Sequence, residues 1–413
     1  MKIVGLISRI LTGLVFVFSG FVKALDPIGS SIKFTEYFES FHLGFLIFSS
    51  LPLAILMSAA EFMIGLNLLA GIRMKFTAWI LLIFMAFFTG LTFILALTNP
   101  VSDCGCFGDA LKLTNWQTFL KNGILIIPAV VVFIRRRNYH PFSKPSAEWG
   151  IAGFNFLFSC IISAYCIIHQ PILDFRPYRA GTFIPDQMTI PEGAPADQYE
   201  TILIYEKDGL KKEFTDKNFP WQDSTWKWVE TKQKLVKKGY EPPIHDFSIT
   251  SPEGEDITEA VLSDSNYIFL ILAPDLETAS KKGLQDLNTF ALKCRELGFV
   301  PIGLTSSPNN QIARYKEEYQ PDYDFCTADE TTLKTIIRAN PGLMLLHKGT
   351  ILGKWNHRDA PSAGELSSHL LSLVILREHR RIEILKVTVI ALLVSLLLVL
   401  AYLNFQRPGK FRD

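Results

Sequence analysis

Apolar and polar positions divide the chain into two unlike parts. Residues 1–169 carry long apolar runs at 3–22, 45–72, 76–97, 119–134 and 150–169, separated by short polar stretches. Each approaches or exceeds the length a helix needs to cross a bilayer, about 20 residues for roughly 30 Å of hydrocarbon. Five transmembrane helices are expected there, and a sixth at 384–402, with a single Lys386 at its start. The first run, with Lys2, Arg9 and Val22-Lys23-Ala24, also has the parts of a cleaved signal peptide. The further spans that follow at once favour a retained helix.

Basic residues near helix ends set the expected orientation. Lys2 and Arg9, then Arg73 and Lys75, then Arg135-Arg136-Arg137 with Lys144, fall on one side, which should be the cytoplasm. The loops at 23–44 and 98–118 then face outward, with residues 170–383. Arg377, Arg380 and Arg381 on the outward side run against the rule, but long translocated domains follow it poorly. Trp79, Trp116 and Trp149 lie near helix ends, where interfacial Trp belongs.

From residue 170 the pattern is that of a globular protein. Pro171, Pro177, Pro185, Pro191 and Pro195 make the first stretch extended and loop-like. Residues 201–205 and 210–214 flank Lys207-Asp208-Gly209 and predict a β-hairpin. Trp221, Trp226 and Trp228 follow and predict the local core of a small subdomain, a binding groove being the alternative. After Pro242-Pro243 come strands at 246–250, 267–272, 299–305, 323–327, 342–346 and 350–355, and helices at 277–297, 310–318 and 331–339. A last helix at 362–381 runs unbroken into the sixth span. The expected divisions are 1–138, a four-helix membrane domain; 139–169, the fifth span; 170–243, a Pro-rich and β linker subdomain; 244–376, an α/β domain; and 377–413, the sixth span and a cytoplasmic tail.

Composition agrees with a mixed membrane and globular chain. Of 413 residues 49% are hydrophobic, including 32 Phe, yet 20% are charged. A net charge of +1 with no basic patch gives no case for nucleic acid. Six cysteines are too few and too scattered for a disulfide scaffold.

Chemistry concentrates in Asp103-Cys104-Gly105-Cys106-Phe107-Gly108-Asp109, a polar loop between the third and fourth spans. A disulfide between Cys104 and Cys106 would be tight, because their Cα separation falls near the upper edge of the allowed range. Such strain makes a disulfide a stronger oxidant, and Gly105 supplies the permissive backbone the ring needs. Three readings follow: a redox pair passing electrons between a protein dithiol and a membrane carrier such as quinone, an inert structural pair, or a soft-metal site. The last is incomplete, since two thiolates leave zinc or copper short of ligands and the loop has no His. Asp103 and Asp109 should disfavour a thiolate. Cys160, Cys166, Cys294 and Cys326 read as packed side chains. Glu61, inside the second span, is either a proton pathway or a hydrogen-bonded group that holds the bundle together. Lys23 beside Asp26 reads as a snorkelling interface pair.

The first four spans resemble the DoxX-type family and, within it, the methylamine-utilisation protein MauE. The resemblance is carried by Phe18-Ser19-Gly20-Phe21-Val22-Lys23, by Glu61 with Gly65, and by Cys104-Gly105-Cys106-Phe107-Gly108. It implies an inner-membrane protein of bacteria that supports maturation of disulfide-rich periplasmic proteins beside a thioredoxin-like partner or client. On the redox reading Cys104 and Cys106 are the catalytic pair, with Glu61 as a candidate proton relay. The order of elements after Pro243 resembles the thioredoxin fold, and Asn340-Pro341 matches that fold's cis-proline position, which makes Pro341 a candidate substrate contact. Where a thioredoxin places Cys-x-x-Cys, this chain has Ala273-Pro274-Asp275-Leu276-Glu277-Thr278. The resemblance therefore implies a docking domain, facing the periplasm above the cysteine loop, without thiol chemistry of its own. Two readings of the whole remain: a quinone-coupled thiol–disulfide oxidoreductase, or a non-enzymatic scaffold whose globular domain binds a partner. If the basic clusters set the topology, reporter fusions after Arg137 and after Pro243 report opposite sides of the membrane; the same side for both removes the fifth span.

Overall fold

The computed structural model describes residues 2–394 apart from 102, 140–144, 217, 238, 367–371, 373–374, 377–378 and 391–392. They form two units, Met1–Thr182 with Ser248–Asp413, and Phe183–Phe247.

The first unit opens with helices α1 (Lys2–Leu25), α2 (Pro27–Ser40), α3 (Ser50–Ala70), α4 (Met74–Thr98), α5 (Asn115–Ile134) and α6 (Pro145–Ile168). Among the described residues five helices are long and apolar enough to span a membrane, over Ile3–Leu25, Gly44–Ala70, Met74–Thr98, Asn115–Ile134 and Pro145–Ile168. Of the sixth expected span, residues 384–390 and 393–394 are helical, and the remainder lies outside the described residues. Where a loop was expected, α2 forms. Asp26 caps it by accepting a hydrogen bond from Gly29 N at 2.9 Å, and Pro27 fits the first helical position.

Helices α1 and α3 approach one another backbone to backbone, and two glycines permit it. A Cβ on Gly20 would strike the Phe62 backbone nitrogen, and one on Gly65 would lie 2.5 Å from the Val17 nitrogen. Small residues at such contacts are how membrane helices gain close packing without a hydrophobic drive. Phe62, Ile64, Leu66 and Leu68 are buried behind this seam, while Ile83, Phe87, Ile124 and Ile127 are exposed on the outer faces of α4 and α5.

The second unit holds α7 (Ile184–Met188) and a three-stranded antiparallel sheet of β1 (Gln198–Lys207), β2 (Leu210–Thr215) and β3 (Lys227–Lys237), in the order β2-β1-β3. The hairpin is as expected; β3 was hidden because Lys227, Glu230, Lys232, Lys234 and Lys237 fall on both of its faces and leave no apolar face to read. The Trp core expected there does not form. Trp221 is 73% and Trp228 60% exposed, and Trp226 stacks edge-on against Phe214 at 5.2 Å.

The chain then returns to the first unit with α8 (Thr258–Ser263), β4 (Tyr267–Leu272), α9 (Lys281–Glu296), β5 (Val300–Thr305), α10 (Asn309–Tyr319), β6 (Phe325–Thr327), α11 (Glu330–Ile336), β7 (Gly342–His347) and β8 (Thr350–Asn356). The sheet order is β6-β5-β4-β7-β8, with β4, β5 and β6 parallel and β7 antiparallel to both neighbours. Strand β4 is an unbroken apolar run because it is covered on both faces. Leu284, Leu287, Ala291 and Cys294 of α9 recur at helical spacing and pack into the core against Phe269.

Three details differ from expectation. Residues 246–250 form no strand, and Thr250 makes only isolated bridges to Asp256 and Thr327. Helix α9 starts at Lys281, not at 277. Ser280 caps it, and Asn340 Nδ2 donates to Asp275 O at 2.6 Å and holds 273–279 as a loop. Residues 363–365 form a turn rather than the start of the last helix, whose next stretch lies outside the described residues. The Asn340-Pro341 peptide bond is cis.

If the glycine seam sets the bundle, Gly20→Val and Gly65→Val each push α1 and α3 apart and destabilise the protein by about 1–3 kcal/mol. Thermal unfolding in detergent should show a lower midpoint for both, with Gly150→Val, at an open position, as the unaffected control.

Candidate functional site

The α1–α3 seam brings Ser19 and Lys23 against Glu61. Lys23 Nζ lies 2.6 Å from Glu61 Oε1, with side-chain exposures of 13% and 6%. Lys23 therefore does not pair with Asp26 at the interface; the helix turn that separates them points Lys23 into the bundle. Ser19 Oγ lies 2.7 Å from Glu61 Oε2 and 2.8 Å from the Cys106 carbonyl oxygen. One hydroxyl proton thus faces two acceptors and serves one of them at a time.

The cysteine loop hangs from the far ends of α4 and α5. Asn115 Nδ2 closes its base by donating to Asn99 Oδ1 at 2.7 Å and Val101 O at 2.8 Å. Gly105 sits at φ +64°, a left-handed conformation that costs glycine little, and its amide donates to Asp103 Oδ1 at 2.9 Å. Tyr37 Oη of α2 donates to the Cys104 carbonyl at 2.7 Å. Cys104 is thus tied to the outer helix and Cys106 to the bundle core.

Both cysteines are free thiols and share a hydrogen bond. That bond, helped by the Lys121 and Lys23 ammonium groups, outweighs burial and brings Cys106 down to about 6. The same bond and burial push Cys104 well up. The two aspartates expected to oppose a thiolate are occupied elsewhere. Asp103 faces Lys33 at 3.2 Å, and Asp109 faces Lys112 at 3.9 Å and Arg338 at 3.3 Å.

Arg338, just after α11, joins the α/β domain to this loop. Its Nε lies 3.0 Å from both Asp26 oxygens and its Nη2 2.9 Å from Oδ2, and its Nη1 donates to Lys334 O. Burial works against the Asp26 carboxylate, but Arg338 and then Arg176 outweigh it and hold it below its usual range. A second buried cluster stands behind the first. Asp174 receives Arg176 and Lys354, each at 2.7 Å, and Arg176 Nη1 reaches Thr335 O at 3.1 Å. The α/β domain thus rests on the end of the bundle that carries the cysteine loop. Pro341 follows Arg338 by three residues and immediately precedes β7.

A cavity of about 430 Å³ runs from the loop into the bundle. Ser19, Lys23, Glu61, Cys104, Cys106 and Lys121 line its polar end, and Phe, Leu and Met side chains line the rest. Glu61, Cys104 and Cys106 thus meet at one place, and Pro341 is not among the lining residues. Lys33, Tyr37, Lys121 and Arg338 had no signal as site residues in isolation; each is a common polar residue whose partner is distant in sequence. Among the described residues no group of three or more His, Cys, Asp or Glu could hold a metal ion.

These elements define a multi-pass membrane protein that carries a mixed α/β domain. Its N-terminal segment is MauE-like: residues 1–135 match the family described as Methylamine utilisation protein MauE. Residues 199–238 match Domain of unknown function (DUF8463). No curated protein matches the chain. Two solved structures are similar to part of it. One is a solution structure of a proposed protein disulfide isomerase from Bacteroides thetaiotaomicron, at 16% identity over 33% of this chain and 86% of that one, with a TM-score of 0.23. The other is a crystal structure of Arabidopsis thaliana ScoI with copper bound, at 15% identity over 32% of this chain and 97% of that one, with a TM-score of 0.23.

A lowered thiol is charged above its own midpoint and loses that charge as pH falls through it. Maleimide labelling of Cys106, read by peptide mass, should therefore rise with a midpoint near pH 6. Cys104→Ala removes the hydrogen bond and Lys121→Gln removes a cation, so each moves the midpoint up toward the ordinary thiol value of about 8.5. A native midpoint already at that value overturns the assignment.

Proposed function

We propose that this protein is a membrane thiol–disulfide oxidoreductase that supports maturation of extracytoplasmic proteins through Cys104 and Cys106. The observation that carries the reading is the thiol pair at the polar end of a membrane cavity, with the Cys106 proton loosened by Cys104, Lys121 and Lys23. A nucleophilic or leaving sulfur needs that environment, and an inert structural pair does not. In the proposed cycle a client thiolate attacks the loop disulfide and forms a mixed disulfide. The second client thiol then displaces it, which leaves the client oxidised and both loop cysteines as thiols.

The α/β domain is read as thioredoxin-like, with the client docked near Pro341. Two features support this: its strand order with the cis Asn340-Pro341 bond, and the Arg338 contact that keeps the Pro341 edge beside the loop. The loop 273–279 has no cysteine, so chemistry belongs to the membrane loop and binding to the domain. The loop and the domain are assigned to the periplasmic side of a bacterial inner membrane from the basic clusters at the opposite helix ends. Glu61 is assigned as proton relay because Ser19 links it to the Cys106 backbone and Lys23 pairs with it.

With either loop cysteine changed to Ala the loop disulfide cannot form, so client oxidation and function are lost. In the oxidised native protein a client-like peptide with a single thiol attacks the loop disulfide but has no second thiol to displace it, and it stays attached as a mixed disulfide, visible on non-reducing gels of membranes and released by reductant. If no mixed disulfide forms and both Ala variants retain full function, the exchange reading fails and the scaffold reading stands.

A further inference from the structure

The cavity has two ends of opposite character. Its polar end lies at the cysteine loop. Away from those polar groups Phe41, Leu43 and Phe87 line the cavity and are also exposed, at 36%, 36% and 63%. Phe87 lies 11 residues before the end of α4, about 16 Å down the helix at 1.5 Å per residue. Exposure at that depth in a spanning helix is exposure to lipid. The cavity therefore opens sideways into the bilayer, between α2 with the turn that follows it and α4.

The polar end suits an uncharged head. The Lys23 charge is matched by Glu61 and that of Lys33 by Glu36 and Asp103, while Lys121 lies over the Phe107 ring at 4.3 Å and faces the Cys106 sulfur. A phosphate or carboxylate head would have to compete with these carboxylates, whereas carbonyl oxygens can accept hydrogen bonds without disturbing them. Apolar walls beneath suit a hydrocarbon tail, and about 430 Å³ lies in the usual range of roughly 300–1,000 Å³ for small-molecule sites. The two thiols beside the head supply two electrons and two protons on closing to a disulfide.

We propose that the cavity takes a lipid-soluble quinone from the bilayer through the opening at Phe41, Leu43 and Phe87, and that this quinone re-oxidises Cys104 and Cys106. The inference rests on the exchange reading above and names its electron acceptor. The balance is closed. Two S–H bonds break and one S–S bond forms between Cys104 and Cys106; two electrons and two protons pass to the quinone oxygens and give one quinol. The proton that Cys106 sheds as a thiolate returns through the Lys23–Glu61 pair, and the other comes from Cys104. Lys23 Nζ, with Glu61 and Lys121 beside it on the lining, is the donor placed to reach a carbonyl oxygen at the head position.

The test uses the full chain in phosphatidylcholine nanodiscs, reduced with a dithiol and then freed of it. A decyl-tailed benzoquinone is added, quinol formation is followed by absorbance, and the Cys104–Cys106 disulfide by maleimide mass tagging. One quinol and one disulfide per chain are expected. Leu91→Trp, which fills the apolar part of the cavity, should raise the quinone concentration for half-maximal rate at least tenfold. Leu157→Trp, on an exposed face of α6, should not change it. If oxidised dithiothreitol closes the disulfide but the quinone does not, the acceptor inference is overturned and the exchange reading stands. If neither closes it, the exchange reading itself fails. Equal rates with a tail-less benzoquinone, and no effect of Leu91→Trp, overturn entry from the bilayer.

Discussion

A lysine and a glutamate facing each other inside a membrane bundle are the constraint from which the rest of the site follows. Taking either charge alone out of water costs several kcal/mol, and removing one partner of a buried pair costs about 3–5 kcal/mol. Lys23 and Glu61 can meet at 2.6 Å only because Gly20 and Gly65 let the α1 and α3 backbones touch. The same close approach puts Ser19 between Glu61 and the Cys106 carbonyl. The cysteine loop is thus anchored to a buried charged group of the bundle by one hydroxyl. A change at Gly65, about one helical turn from Glu61, reaches the thiols through this chain of contacts.

A second buried charge, Arg338, works from above. A guanidinium gripping two carboxylates is favourable in a dry setting when its planar fork meets them with good geometry, as it does with Asp26. Asp26 caps α2, Asp109 ends the cysteine loop, and Arg338 belongs to the α/β domain. One side chain therefore registers three elements against each other. On the proposed reading this fixes the distance between the surface that holds a client and the sulfurs that act on it, without a flexible carrier.

The membrane elements were legible in the sequence because a spanning helix needs a long apolar run and nothing else. The local signatures were also legible: Phe18 to Lys23, Glu61 with Gly65, and the cysteine pair. Their partners were not. Lys23 was matched to Asp26 because they are three residues apart, yet its partner is Glu61, 38 residues on. Arg338 and Asp26 are separated by 312 positions, and no periodicity connects them. Helix α2 was missed as helix because its apolar residues are mixed with Ser, Thr, Lys and Glu, although the Asp26-Pro27 start was there to be read. Strand β3 was lost for the same reason of composition. In the α/β domain the core strands were plain as apolar runs, whereas the start of α9 depended on Asn340, a contact from 65 positions on, at the entry to the neighbouring strand β7.

Two aspartates beside a thiol pair would ordinarily argue against thiolate chemistry, and the geometry reverses that argument. Asp103 spends one oxygen on Gly105 N and the other on Lys33, while Asp109 faces Arg338 and Lys112. Their charges thus serve the shape of the loop, and the cations left nearest the sulfurs are Lys121 and Lys23. The sign of the local field at a cysteine is set by where neighbouring carboxylates find partners, not by how close they stand in sequence. Here every acidic group in the loop is held by a base from another element, so the assembled bundle, rather than the loop alone, makes Cys106 the more acidic thiol. An isolated loop peptide has none of those bases and would keep its thiols in the ordinary range.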